Sequence, residues 1–167
     1  MVGVERPGGG RIRDKRPPAP EDVIEVIGVR EKRLKVHRRA WDAYWVMRVA
    51  AWTAGVDPRR LLAHSILRDA AVQARLCARA VKKYGSEREA RRWVAPPGKS
   101  AHESGRAFDL DLDGGALTSA RAAEMRTSGA YQWLRAHAVE FGFYPYGAEP
   151  WHWEWNPPGP EAACGAS

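Results

Sequence analysis

The chain has 167 residues, 44% of them apolar with eight Trp, which suits one domain with a real core. Its net charge of +7 and pI near 9.8 mark a basic surface suited to anionic polymers such as nucleic acid, anionic membrane or bacterial wall. Two cysteines exclude a disulfide framework and a Cys-based metal site, and no stretch is long and apolar enough to span a bilayer.

Residues 1–20 are rich in Gly, Pro and Arg, lack the apolar core of a signal peptide, and read as a flexible arm ended by Pro17-Pro18-Ala19-Pro20. Basic residues recur from Arg11 to Arg39 with few acids between them. Val23-Ile24-Glu25-Val26-Ile27 predicts a short strand or a helical turn. Arg38 to Ala54 predicts a helix, with Trp41, Tyr44, Trp45, Arg48 and Trp52 on one face. Gly55 ends it, and Asp57-Pro58 predicts a new helical element with Asp as N-cap. Ala70 to Tyr84 predicts a second helix stopped by Gly85, with Cys77 as a core thiol. Ser86 and Glu89 have the spacing of a capping box. Residues 95–99 predict a loop. Arg106 to Asp113 alternates, which predicts a strand with Ala107, Asp109, Asp111 and Asp113 on one face and Phe108, Leu110 and Leu112 on the other. Thr118 to Phe141 predicts a helix, and Phe143 to Tyr146 and Trp151 to Trp155 predict strands. Residues 157–167, with Cys164, read as a loose tail. The organisation is an arm (1–20), one domain (21–156) and a tail (157–167). The fold class is α+β, a small antiparallel sheet flanked by helices.

Chemistry concentrates in two segments. Ser100 to Asp109 carries His102 and Asp109, seven residues apart, and Glu149-Pro150-Trp151-His152 carries a second imidazole beside a carboxylate. A catalytic zinc site takes three protein ligands and keeps an open position with a base nearby, and His102, Asp109, His152 and Glu149 supply those groups. The chain must turn back between His102 and Asp109, and Gly105 is where a turn is cheapest. Strand alternation points His152 opposite to Trp151 and Trp153, which would pack or wall the cleft. Glu149 would then face away from His152 unless it sits before the strand or at a bend, as Pro150 allows. Glu149 would take a proton from the attacking water, and a nearby cation would stabilise the oxyanion. His37, His64 and His137 read as structural or surface imidazoles, and Asp111 and Asp113 as a solvated strand edge or turn cap.

The motif Ser100-x-His102-x-x-Gly105-x-Ala107-x-Asp109, with Glu149-x-x-His152-Trp153, resembles the D-Ala-D-Ala carboxypeptidase/dipeptidase family of zinc peptidases. That family is grouped with lysostaphin-type peptidases and the hedgehog signalling domain. Arg68 to Gln73 resembles its Arg-x-x-x-x-Gln element, and Phe141-Gly142-Phe143 its entry to the sheet. The resemblance spans about 54–156. It departs at His64-Ser65-Ile66-Leu67, where the family more often has a Gly-aromatic pair, and the 84–99 insert with Trp93 could line the cleft.

The resemblance implies one zinc per chain held by His102, Asp109 and His152, with Glu149 as base. Arg68 would contact the carbonyl and developing oxyanion, and Ser100, Gln73 and Trp151 would help to hold the peptide. The implied activity is hydrolysis of peptidoglycan stem peptides, by a carboxypeptidase removing terminal D-Ala or an endopeptidase of phage-lysin type. The alternative is a non-catalytic zinc domain that binds wall or a protein partner. The expected partner is a peptidoglycan peptide, with no nucleic acid, no membrane span and a monomeric state. The expected place of action is the bacterial cell wall, with export or phage delivery left open by the lack of a signal peptide in this chain.

Overall fold

The computed structural model describes residues 10–158. Strand β1 (Val23–Ile27) and strand β2 (Arg33–His37) form an antiparallel hairpin, Val23 opposite His37 and Ile27 opposite Arg33. The strand option for this segment therefore holds. Helix α1 (Arg38–Thr53) follows β2 directly, and its buried stripe is Ala40, Tyr44, Met47 and Ala51. This differs from the expected aromatic face. Trp45 (44% exposed) and Trp52 (59% exposed) stay outside, because they lie off this buried stripe of the helix. Tyr44 reaches inward to stack on Phe108, 5.3 Å between ring centroids.

Residues 57–62 form no helix. Asp57 Oδ1 accepts the backbone N–H of Arg59 at 2.9 Å, closing a turn, and Leu61 has φ +63°. The chain is needed there as sheet edge: Leu61 N–H donates to Asp111 O, and Asp111 N–H to Leu62 O. Strand β3 (Ala63–Ser65) continues that edge. Helix α2 (Ala70–Tyr84) starts where the Asp69 side chain accepts from Val72 N–H and stops at left-handed Gly85. Helix α3 (Glu87–Ala90) is capped by Ser86, whose side chain accepts from Glu89 N–H. Cys77 is half-buried, its thiol 3.1 Å from Ala95 O, while Cys164 lies outside the described residues.

Strand β4 (Ala107–Leu110) is shorter than the alternation predicts. Asp111 turns the chain instead, its Oδ1 accepting from Gly114 N–H at 2.6 Å and lying 3.5 Å from Arg60. Asp113 pairs with Arg121. The single helix expected over 118–141 is broken into α4 (Ala122–Thr127) and α5 (Gly129–His137), with 3-10 turns at either end. Ser128 breaks it: its backbone is extended and its hydroxyl caps α5 by accepting from Tyr131 N–H. Strands β5 (Phe143–Tyr146) and β6 (Glu149–Trp155) complete an antiparallel sheet of order β3-β4-β6-β5.

This sheet has two unlike faces. Phe108, Leu110, Phe143 and Trp153 pack against α1, α4 and α5 in one core with Tyr44, Met47, Met125 and Leu134. Ala107, Asp109, His152 and Glu154 belong to the opposite face by strand alternation. The expected α+β architecture with a small antiparallel sheet is what the chain adopts. Among the described residues no helix is long and apolar enough to cross a membrane.

Candidate active site

Three donors meet on the polar face of the sheet. His102 sits in a 3-10 turn (Ala101–Ser104), Asp109 in β4 and His152 in β6, and all three are buried. Gly105 ends the turn at φ +66°, a left-handed backbone that L side chains resist. A Cβ there would lie 3.0 Å from His37 N. This reversal carries His102 back over Asp109. Asp109 and His152 are direct cross-strand partners.

One ligand atom from each residue lies within 4.8 Å of the others. Asp109 Oδ1 is 3.2 Å from His102 Nε2 and 3.2 Å from His152 Nδ1. His102 Nδ1 lies 2.7 Å from the carbonyl oxygen of Ile66. A carbonyl only accepts, so Nδ1 carries the proton and Nε2 keeps its lone pair toward the cluster. Burial pushes the His102 pKa down, which favours that neutral ring. Burial opposes ionisation of Asp109, but His102, His152 and Arg68 outweigh it and hold the carboxyl well below its usual range. Burial also disfavours a charged His152, yet Asp109 and Glu154 raise its pKa to about 9. An ionised carboxylate, the His102 Nε2 lone pair and, once a cation displaces its proton, His152 Nδ1 make a donor set for a divalent cation.

Glu149 opens β6 opposite Tyr146, beside an irregularity in the β5–β6 register. The register shift falls between this pair and Pro145–Trp153, where a bend was expected near Pro150. Burial raises the pKa of Glu149, and the charges of His152, Asp109 and Arg68 act on it, so it shares their cleft. Arg68 donates through Nε to Ser65 Oγ at 2.9 Å and through Nη2 to Asp109 Oδ2. Gln73 is buried on α2, where Nε2 donates to Ala95 O at 2.6 Å and Oε1 finds no donor among the described residues. Ser100 is buried beside the His102 turn, its N–H donating to Glu103 Oε2. The buried Glu103 also accepts from Gly98 N–H, tying down the 95–100 loop. Trp151 is 8% exposed and lies in the core cluster with Trp153 and Trp155. The remaining imidazoles stay outside the donor group: His64 lies 4.0 Å from Asp111, His137 pairs with Glu140, and His37 lies near Trp155. A cavity of about 480 Å³ lined by Val56, Arg60, Asp113 and Trp133 is also separate, and none of the three donors touches it.

A second layer was missed in the sequence. Glu154 Oε1 lies 3.2 Å from His152 Nε2 and accepts from Arg11 Nη2 at 2.9 Å. The available signal was strand alternation, which puts Glu154 on the same face as His152. Arg11 carried no local signal. Residues 10–16, expected as part of a free arm, lie against the domain. Ile12 is buried with Ala101 and Ala107, and Arg106 donates to Asp14 O at 2.8 Å. The physical reason is the buried carboxylate of Glu154, which needs a cation and an N–H donor.

The profile of the VanY family, D-alanyl-D-alanine carboxypeptidases, matches residues 33–158, most of the chain. The chain belongs to that family. As a VanY-family protein it is a carboxypeptidase-type hydrolase of peptidoglycan peptides. The LdcB LD-carboxypeptidase, whose structure addresses peptidoglycan recognition, is 26% identical with a TM-score of 0.71, over 86% of this chain and 72% of that one. VanYB in complex with D-alanine-D-alanine is 26% identical with a TM-score of 0.62, over 94% and 87%. A vancomycin-resistance D,D-pentapeptidase VanY bound to Zn(II) shares the fold at 24% identity and a TM-score of 0.61, over 84% and 82%. Among proteins of curated function none matches the sequence.

Proposed function

We propose that the chain is a zinc-dependent carboxypeptidase that trims the stem peptide of peptidoglycan, with His102, Asp109 and His152 holding the metal and Glu149 as general base. The observation that carries this reading is the convergence of three buried donor atoms within 4.8 Å, in a family of carboxypeptidases. When bound, zinc would supply Lewis acidity to the scissile carbonyl. Glu149, its pKa raised by burial, accepts a proton from the attacking water and returns it to the departing amine. Arg68, braced by Ser65 and Asp109, presents its guanidinium where the scissile carbonyl gains negative charge. Ser100 and Gln73 flank the peptide, and Gln73 Oε1, without a donor among the described residues, is suited to accept a substrate N–H. Trp151 supports this wall from within the core.

The similar structures include an LD-carboxypeptidase and a complex with D-alanine-D-alanine, which supports release of one terminal residue over cleavage within the stem. We place the action at the bacterial wall, on a monomer, with the basic surface favouring that anionic polymer. Synthetic tetrapeptide and pentapeptide stems, and purified wall, would be digested separately and the products read by mass spectrometry. Loss of one terminal D-Ala is expected, with one zinc per chain in the protein and none in His102→Ala. Cleavage only within the stem or cross-bridge would move the assignment to an endopeptidase. Intact peptides with zinc bound would favour the non-catalytic domain.

A further inference from the structure

Glu154 is fully buried, yet no step above uses it. A buried carboxylate is costly unless its oxygens are satisfied and its charge is met. Here Oε1 receives His152 Nε2 at 3.2 Å together with Arg11 Nε at 3.1 Å and Nη2 at 2.9 Å. Oε2 receives the backbone N–H of Ile12. The same guanidinium lies 4.0 Å from the ring centre of Tyr146, the residue opposite Glu149. Asn156 Nδ2 donates to Gly10 O, fastening the far end of the segment. The clamp is therefore built by residues 10–12, which precede the family match at 33–158.

We propose that Glu154, held in place by Arg11 and Ile12, is a positioning residue that fixes the His152 ring, so that the 10–12 segment sets metal affinity from outside the family core. The proposal rests on His152 being a metal ligand. An imidazole that gives Nε2–H to a carboxylate keeps its Nδ1 lone pair for a metal, and turning the ring over would carry both nitrogens away from Asp109 and Glu154. Arg11 and the Ile12 N–H hold the Glu154 carboxylate in register for that contact. Without Arg11, the carboxylate loses its cation and the ring its fixed partner.

The test is zinc affinity, measured by chelator competition on the full chain. The proteins are the parent, Arg11→Ala, Arg11→Lys, Glu154→Gln, the Arg11→Ala/Glu154→Gln double variant, and Arg16→Ala as control. Arg16 is exposed and, among the described residues, pairs only with Asp14. Loss of an outer partner of a metal-bound His typically weakens binding about 10–100-fold, and Arg11→Ala and Glu154→Gln are each expected near the lower end. Arg11→Lys recovers part of the loss, Arg16→Ala binds as the parent, and the double variant is no weaker than Glu154→Gln alone. Metal-free unfolding is followed in parallel. Unchanged zinc affinity in Arg11→Ala, even with altered unfolding, or additive losses in the double variant, would overturn the proposal. Should Glu154→Gln not fold, the half-exposed Arg11 and its Lys rescue still decide it. A parent chain that binds no zinc overturns the metal reading as well, whereas a zinc-binding parent with indifferent variants overturns the clamp alone.

Discussion

Glu149→Gln exchanges one carboxylate oxygen for an amide and leaves the length and the start of β6 unchanged. Glu149 is half-buried opposite Tyr146, and burial raises its pKa above the ordinary 4.5, which makes it a stronger base than an exposed carboxylate. An amide cannot take the proton, so the whole general-base contribution is lost, about two to four decades in kcat/KM or roughly 3–5 kcal/mol in the barrier. The three donors are untouched, so zinc content stays at one per chain. Stability moves the other way. A carboxyl whose folded pKa is raised contributes fully below its unfolded value, and that contribution is lost as pH rises through the folded value. Gln has no such loss. In metal-free protein, Glu149→Gln should therefore gain on the parent as pH rises above the ordinary 4.5, followed by denaturant unfolding. Peptide release within tenfold of the parent, with zinc retained, would refute Glu149 as base. Loss of zinc in step with activity would instead make it a ligand.

Tyr44 donates to Leu61 O at 2.7 Å, and burial raises its pKa from 10.0 to about 12. Stability should thus fall by about 2–3 kcal/mol as pH rises from 10 to 12, and Tyr44→Phe should flatten that fall in alkaline unfolding curves. Gly105→Ala places a Cβ at φ +66°, 3.0 Å from His37 N, and is expected to cost at least 1–2 kcal/mol, with an unchanged unfolding midpoint arguing against the turn. Asp69→Ala removes the cap of α2 and should cost about 1 kcal/mol by the same measurement.

The donor residues were legible because each motif is short and its residue types are rare in such company. The stop of helix α2 and the cap of α3 were legible for the same reason: Gly85 and Ser86 act on neighbours within one turn. What escaped depends on contacts between distant segments. The helix over 118–141 looked continuous because Ser128 is tolerable in a helix, and only its capping of Tyr131 reveals the break. Asp57-Pro58 has the chemistry of a helix start, but Leu61 is needed to pair with Asp111, 50 residues on. The aromatic face of α1 was misplaced because periodicity marks large residues, while close packing selected Ala40 and Ala51. Arg11 was illegible altogether, since nothing near it in sequence says that Glu154 will be buried.

Asp109 and His152 face each other across two strands whose sequence positions are 43 apart. Two of the proposed donors come from one short stretch, and the third arrives only when β6 has paired with β4. Metal capture and sheet closure are then one equilibrium seen from two sides. Free zinc at 100 times its dissociation constant would add about 2.7 kcal/mol to the stability of the fold. Any slip of β6 against β4 would release the ion, because a one-residue shift turns His152 to the core face. Chelation and unfolding should accordingly behave as mutually reinforcing stresses, with heat tolerance rising and falling with metal supply.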